Sequence, residues 1–199
     1  RDSSTSRGLG DVYKRQLPDD LDPNGEYYLG MDVARKKHLS VIWLLEKIGD
    51  NHKTVCLREM KQMTFRDQRS ILYSFLDLPQ LHRACLDATG IGAQLAEEAK
   101  QDYGGKVEGI VFSRAAKEEM AVYTRSKFED KTVEIPKDDK IREDLHSVKK
   151  VVTTGGNVRY DAPETEDGHA DRFWALSLAL NAGRTKWQSG VTRPIRVNY

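Results

Sequence analysis

Three short apolar runs follow one another at residues 27–33, 39–48 and 53–60, and Gly49-Asp50-Asn51 separates the last two. Runs of this length bounded by turn residues read as strands, and the Gly-Asp-Asn break reads as a hairpin. The first run is apolar nearly throughout, as a strand buried on both faces is. The pattern therefore predicts an antiparallel meander that other elements must cover.

The rest of the chain supplies the cover. Thr64 and Asp67 resemble a capping box, and Phe65, Leu72, Phe75 and Leu76 recur at helical spacing before Pro79. Residues 83–87 read as a fourth strand. Thr89-Gly90-Ile91-Gly92 opens a helix that runs through Lys100 and closes near Gly104-Gly105. Residues 107–112 read as a fifth strand, 115–128 as a helix, 132–135 as extended and 138–150 as another helix. Gly155-Gly156-Asn157 reads as a turn, 158–161 as a strand, and 169–181 as an apolar helix. A meander followed by strand–helix alternation predicts an α/β fold, its mixed sheet joining antiparallel strands to parallel crossover units.

Composition narrows the class. At 199 residues the chain is long enough for one domain with a core of its own. Residues 1–25 are rich in Ser, Arg, Pro, Asp and Gly and read as a disordered leader or linker, or the end of an upstream domain. Residues 26–183 read as the domain and 184–199 as a C-terminal tail. No apolar run approaches membrane-spanning length, and no signal-type stretch opens the chain. The two cysteines, Cys56 and Cys85, are too few for a disulfide scaffold or a Cys-based zinc site, so a reduced cytoplasmic setting is expected. The net charge of +1, from 32 basic and 31 acidic residues, excludes a polycationic tail. It does not exclude nucleic acid, which binds to patches rather than averages.

Three acids stand out. Asp32 closes Tyr28-Leu29-Gly30-Met31, and Asp87 closes Ala84-Cys85-Leu86 just ahead of a turn and helix. A carboxylate ending an apolar strand is costly to bury unless it is paired or holds a metal. In α/β sheets the strand C-termini are also where ligands lie. The ordinary alternative for both is a solvated turn or a helix cap. Asp171 opens the final helix and shares a face with Trp174, Ala175 and Leu178, so it should point at the sheet. The helix macrodipole favours an acid in a first turn, but not on the buried face. Converging at one sheet edge, the three would suit hard divalent ions, which prefer carboxylate oxygen. The Gly90-Ile91-Gly92 turn is a weak phosphate loop: it lacks the third glycine of a dinucleotide site and the Lys-Ser/Thr of a P-loop. That disfavours a kinase or actin-like ATPase.

Tyr27-Tyr28-Leu29-Gly30-Met31-Asp32-Val33-Ala34-Arg35, Cys85-Leu86-Asp87-Ala88-Thr89-Gly90-Ile91-Gly92 and Gly168-His169-Ala170-Asp171-Arg172-Phe173-Trp174-Ala175-Leu176 resemble, in this order, the C-terminal nuclease domain of phage large terminases, nearest the Mu-like prophage branch. The resemblance covers about residues 26–183. It implies an RNase H-like fold. It also implies that Asp32, Asp87 and Asp171 hold two Mg²⁺ or Mn²⁺ ions and cut double-stranded DNA during packaging. Asp167 and His169 match an accessory region. Family members often carry another acid shortly after the first Asp, where this chain has Arg35-Lys36-Lys37-His38. No Gly-x4-Gly-Lys-Ser/Thr occurs, so the chain corresponds to the nuclease half, without the ATPase motor. The terminase small subunit, portal and ATPase domain are the implied partners, in the cytoplasm of a bacterial host.

Arg35, Lys36 and Lys37, with Arg114 and Lys117 at the start of a helix, are candidates for phosphate contact. Arg125 and Lys127 are weaker ones, since residues 114–150 hold ten basic and nine acidic side chains and form a mixed face. Phe173 and Trp174 read as core. Two other functions fit the same residues: another RNase H-like nuclease, such as a junction resolvase, or a non-catalytic DNA-binding and assembly module.

Overall fold

The computed structural model describes residues 17–18, 20–33, 39–152, 158–162 and 170–184. Strands β1 (Tyr27–Asp32), β2 (Leu39–Ile48) and β3 (Asn51–Lys61) form the expected meander. Helix α1 (Phe65–Leu76) follows, its N-terminus capped by Thr64 Oγ1, which accepts the Asp67 amide at 3.2 Å. Then come β4 (Leu81–Asp87), α2 (Gly92–Tyr103), β5 (Val107–Ile110), α3 (Arg114–Glu129), β6 (Val133–Glu134), α4 (Asp139–Ser147), β7 (Lys149–Val152), β8 (Val158–Asp161) and α5 (Asp171–Gly183).

One six-stranded sheet runs in the order β5-β4-β1-β2-β3-β6. β1 pairs antiparallel with β2 and β2 with β3, whereas β1–β4, β4–β5 and β3–β6 are parallel. This is the predicted mixed sheet, with β6 added beyond the meander where only an extended segment was expected.

Strand alternation sorts the faces. Leu29, Met31, Ala84 and Leu86 join Ile71, Leu72, Phe75, Leu95 and Ala99 in the core beneath α1 and α2. Leu17 and Leu21 pack against that same core. On the opposite face Tyr28 and Cys85 pack with Met120, Trp174 and Leu178, and Val41, Trp43 and Leu45 pack with Ala175, Ala179 and Leu180. Helix α5 is apolar nearly all round, and Phe173 and Trp174 are core as expected. Among the described residues no helix is long and apolar enough to cross a membrane.

Two boundaries differ from the sequence reading. The helix expected over 138–150 stops at Ser147, and Lys149–Val152 becomes a strand paired antiparallel with Val158–Asp161. β-branched Val151 and Val152 gain ladder partners that helical periodicity could not reveal. The turn predicted at 155–157 lies outside the described residues. The fifth strand ends at Ile110 rather than 112, because Ser113 already caps α3 by accepting the Ala116 amide at 3.1 Å.

Candidate active site

The strand period places Asp32 on the face of Tyr28 and Gly30, and Asp87 on the face of Cys85. Parallel pairing of β1 and β4 runs through Met31↔Leu86, so the two acids follow side by side at the next position. Both lie on the side that α5 covers.

Gly30 brings α5 close enough. A Cβ there would lie 2.1 Å from the Ala175 carbonyl oxygen and 2.2 Å from the Ala179 nitrogen, so the helix rests directly on the strand. Gly183, at the far end of α5, approaches the ring of Tyr28. Helix α5 therefore runs antiparallel to β1. Asp171, one turn before Ala175 on the same stripe, arrives at the strand end that carries Asp32. All three acids are buried, at 6–7% exposure.

Burial pushes the Asp32 carboxyl well above the ordinary carboxylate range, and the negative charges of Asp171 and Asp87 push it further. The Lys117 ammonium and the Val33 amide act in the opposite direction. Burial also raises Asp87, offset by Thr89 and Lys117. Asp87 Oδ1 accepts the Thr89 amide at 2.8 Å, and Thr89 Oγ1 accepts the Phe112 amide at 2.9 Å, fixing the β4 end to the loop before α3. A Cβ on Gly92 would lie 2.1 Å from the Asp87 carbonyl oxygen. The Gly90-Ile91-Gly92 turn thus serves to fold α2 over the acid.

Lys117 rises from the first turn of α3 and lies over the rings of Trp174 and Phe112, 4.6 and 5.3 Å from their centroids. Arg114 is exposed at the start of the same helix. Arg35, Lys36, Lys37, Asp167 and His169 lie outside the described residues. Arg125 is paired with Glu129 on the surface, and Lys127 lies over Tyr123, away from the acids.

The site also has a feature the sequence reading missed. Arg172, next to Asp171, is buried and held by Glu59 of β3 and Asp144 of α4. The available signal was a lone cation in the first turn of an otherwise apolar helix. A cleft of about 920 Å³ opens nearby between α3, α4 and the β7–β8 hairpin, lined by Phe128, Leu145, Tyr160 and Phe173. It takes in none of the three acids.

The donor chemistry suits a hard divalent cation, since three carboxylates share one buried end with Lys117 beside them. Among the described residues, no three His, Cys, Asp or Glu side chains stand close enough to form a ready-made cage. Asp171 and Asp87 are electrostatic neighbours of Asp32 rather than parts of a closed cage.

The model of the terminase RNaseH-like domain family matches residues 29–182, nearly the whole of this sheet and its helices. The chain belongs to that family. The terminase domain is 32% identical over 175 residues to the probable terminase large subunit gp28 of Escherichia phage Mu, and 29% identical over 169 residues to the Mu-like prophage FluMu protein gp28 of Haemophilus influenzae. Those matches take in 83% and 81% of the chain but only 31% and 33% of the relatives, so the chain spans about a third of their length. The crystal structure of the large terminase nuclease from thermophilic phage G20c with bound magnesium superimposes with a TM-score of 0.70 at 25% identity, covering 81% of this chain and 84% of that one. A second structure of that nuclease holds cobalt. The six-stranded mixed sheet flanked by helices is therefore an RNase H-like fold.

Proposed function

We propose that residues 26–183 form a divalent-cation-dependent endonuclease that cuts double-stranded phage DNA during genome packaging. On this reading the chain is the nuclease part of a large terminase that works with an ATPase motor. The observation that carries the reading is the convergence of Asp32, Asp87 and Asp171 at one buried sheet end, where burial and then the charges of Asp171 and Asp87 raise Asp32. The metal content of the phage G20c nuclease structures supports it.

Asp32, Asp87 and Asp171 would hold the cations, Mg²⁺ or Mn²⁺, in a two-ion arrangement. Bound there, such ions activate water and stabilise the departing 3′ oxygen of a phosphodiester. The protein's own part is to aim the carboxylates and, through Lys117 and the Thr89 and Val33 amides, to oppose the burial that raises them. The Thr89 amide holds one oxygen of Asp87. Lys117, steadied by Trp174 and Phe112, offers a cation to a phosphate oxygen beside the acids. Arg114 and Arg35-Lys36-Lys37 extend that basic approach, and Asp167 and His169 act as accessory groups. The small subunit and portal are further partners, and the setting is the host cytoplasm.

One observation favours a second reading, a non-catalytic DNA-binding module: the acids do not stand as a ready-made cage. Nicking of supercoiled plasmid in Mn²⁺, Mg²⁺ or EDTA separates the two. Cutting that needs the cation and disappears in Asp87→Asn is expected. Binding of DNA with no cutting under any cation, and no thermal stabilisation by Mn²⁺, would establish the binding module instead.

A further inference from the structure

Helix α5 begins without a cap of its own. The residue before Asp171 is Ala170, which has no capping side chain and adopts a left-handed backbone with φ of 60°. Only a constraint from outside can hold such a residue there. Asp144 of α4 supplies a cap from outside the helix. Its Oδ2 accepts the Arg172 amide at 3.1 Å, which is the hydrogen bond an N-cap side chain makes to the second helical residue. The same oxygen accepts Arg172 Nη1 at 3.2 Å. Arg172 Nε donates to Glu59 Oε1 of β3 at 2.6 Å, and the Arg172 side chain is only 4% exposed.

We infer that Arg172 and Asp144 are positioning residues for the carboxylate site. Asp144 caps α5 from a neighbouring helix, and the Glu59–Arg172–Asp144 bridge sets the rotation of the turn that carries Asp171. Asp171 is the first helical residue, so fraying by a single position removes it from the sheet-facing stripe. From Trp174 onward the helix is held independently by Ala175 and Ala179 on Gly30 and by the buried Thr124–Ser177 hydrogen bond. Loss of the bridge therefore displaces the acid and leaves the body of α5 in place. This inference rests on the cation-site reading above.

The test is Mn²⁺ titration of thermal stability without DNA, beside plasmid nicking, for wild type, Asp87→Asn, Asp144→Ala, Asp144→Asn and Arg172→Lys. Asp144→Ala is expected to raise the Mn²⁺ concentration at half-maximal stabilisation at least tenfold and to cut nicking in proportion. Asp144→Asn, whose amide oxygen still accepts the Arg172 amide, recovers most of the affinity. A purely structural role would lower the melting temperature in EDTA and leave the Mn²⁺ midpoint where it was, which overturns the inference. If Asp144→Ala does not fold, Arg172→Lys decides. It keeps the charge and the backbone cap but loses the fork, so a severalfold weaker midpoint supports positioning and an unchanged one refutes it. A wild type with no Asp87-dependent Mn²⁺ shift would overturn the cation site itself, an outcome distinct from an intact site indifferent to Asp144.

Discussion

The two ends of α5 solve opposite electrostatic problems. At its C-terminus, Lys47 Nζ donates to the Gly183 carbonyl oxygen at 3.3 Å. The charges of Lys47 and Lys127 both reach His52, whose ring lies against Gly183. Cations at a helix C-terminus are what the macrodipole favours, so that end is accounted for by stability alone. At its N-terminus the dipole favours an acid, but three buried carboxylates far exceed what it can offset. One of them is driven well above the ordinary range by the other two and by burial. The C-terminal end is electrostatically satisfied as it stands. The N-terminal end shows no such match, and buried carboxylates raised in this way mark a candidate site.

The sharpest way to break the contrast is Asp32→Asn. Removing this buried charge is expected to reduce cleavage at least ~1,000-fold, about 4 kcal/mol on the barrier. In EDTA the variant should melt at or above the wild-type temperature, because a buried like charge has gone. A variant that lost stability instead would show that the acids are structurally paired and that the asymmetry between the helix ends is false. Lys47, at the other end, has no counterpart to this inverse relation.

Gly30 tests whether the two ends are linked by one rigid helix. Its Cβ would meet backbone on both approaches, with no flexible side chain to give way. Gly30→Ala should cost about 3 kcal/mol, the upper end for overpacking. The lifted helix should carry Asp171 away from Asp32, so Mn²⁺ affinity falls along with stability. Urea unfolding beside Mn²⁺ titration checks both. Lost stability with an unchanged Mn²⁺ midpoint would mean that the acids do not depend on the seat of α5.

How much of this was legible follows from range. Asp32 and Asp87 stood out because each ends an apolar strand, and Asp171 because it opens an apolar helix; both signals lie within a few residues. The sheet's mixed character was legible from the meander and the later strand–helix alternation. The Arg172 bridge was not, since Glu59 lies 113 residues away and no local pattern foretells the pairing. Strand β7 was missed because its pairing with Val158–Asp161 leaves no mark in helical periodicity. Gly30 was quoted within a motif, but the need for a bare Cα appears only once α5 lies across it.

The smallest expected effect belongs to the satisfied end. His52 is 1% exposed, and among the described residues neither ring nitrogen has a hydrogen-bond partner. Burial, then Lys127 of α3 and Lys47 of β2, lower its pKa from the ordinary 6.5, while the Thr132 and Asp50 backbone act the other way. A histidine depressed in the folded state binds its proton more readily when unfolded. Its contribution is fully present above pH 6.5 and is lost as pH falls below that value toward the depressed one. His52→Leu should therefore gain on wild type as the pH falls from 7.5 to 5.5. Taking the difference between the two proteins cancels the opposite pH dependence of Asp32, Asp87 and Asp144, whose raised values favour the protonated fold. Parallel melting curves from pH 7.5 to 5.5 would mean that the imidazole takes up its proton in the fold as readily as in the unfolded chain. At pH 5.5 the C-terminal end of α5 would then carry a buried cation beside the half-buried Lys47 and Lys127, and the balance that distinguishes it from the carboxylate end would not hold.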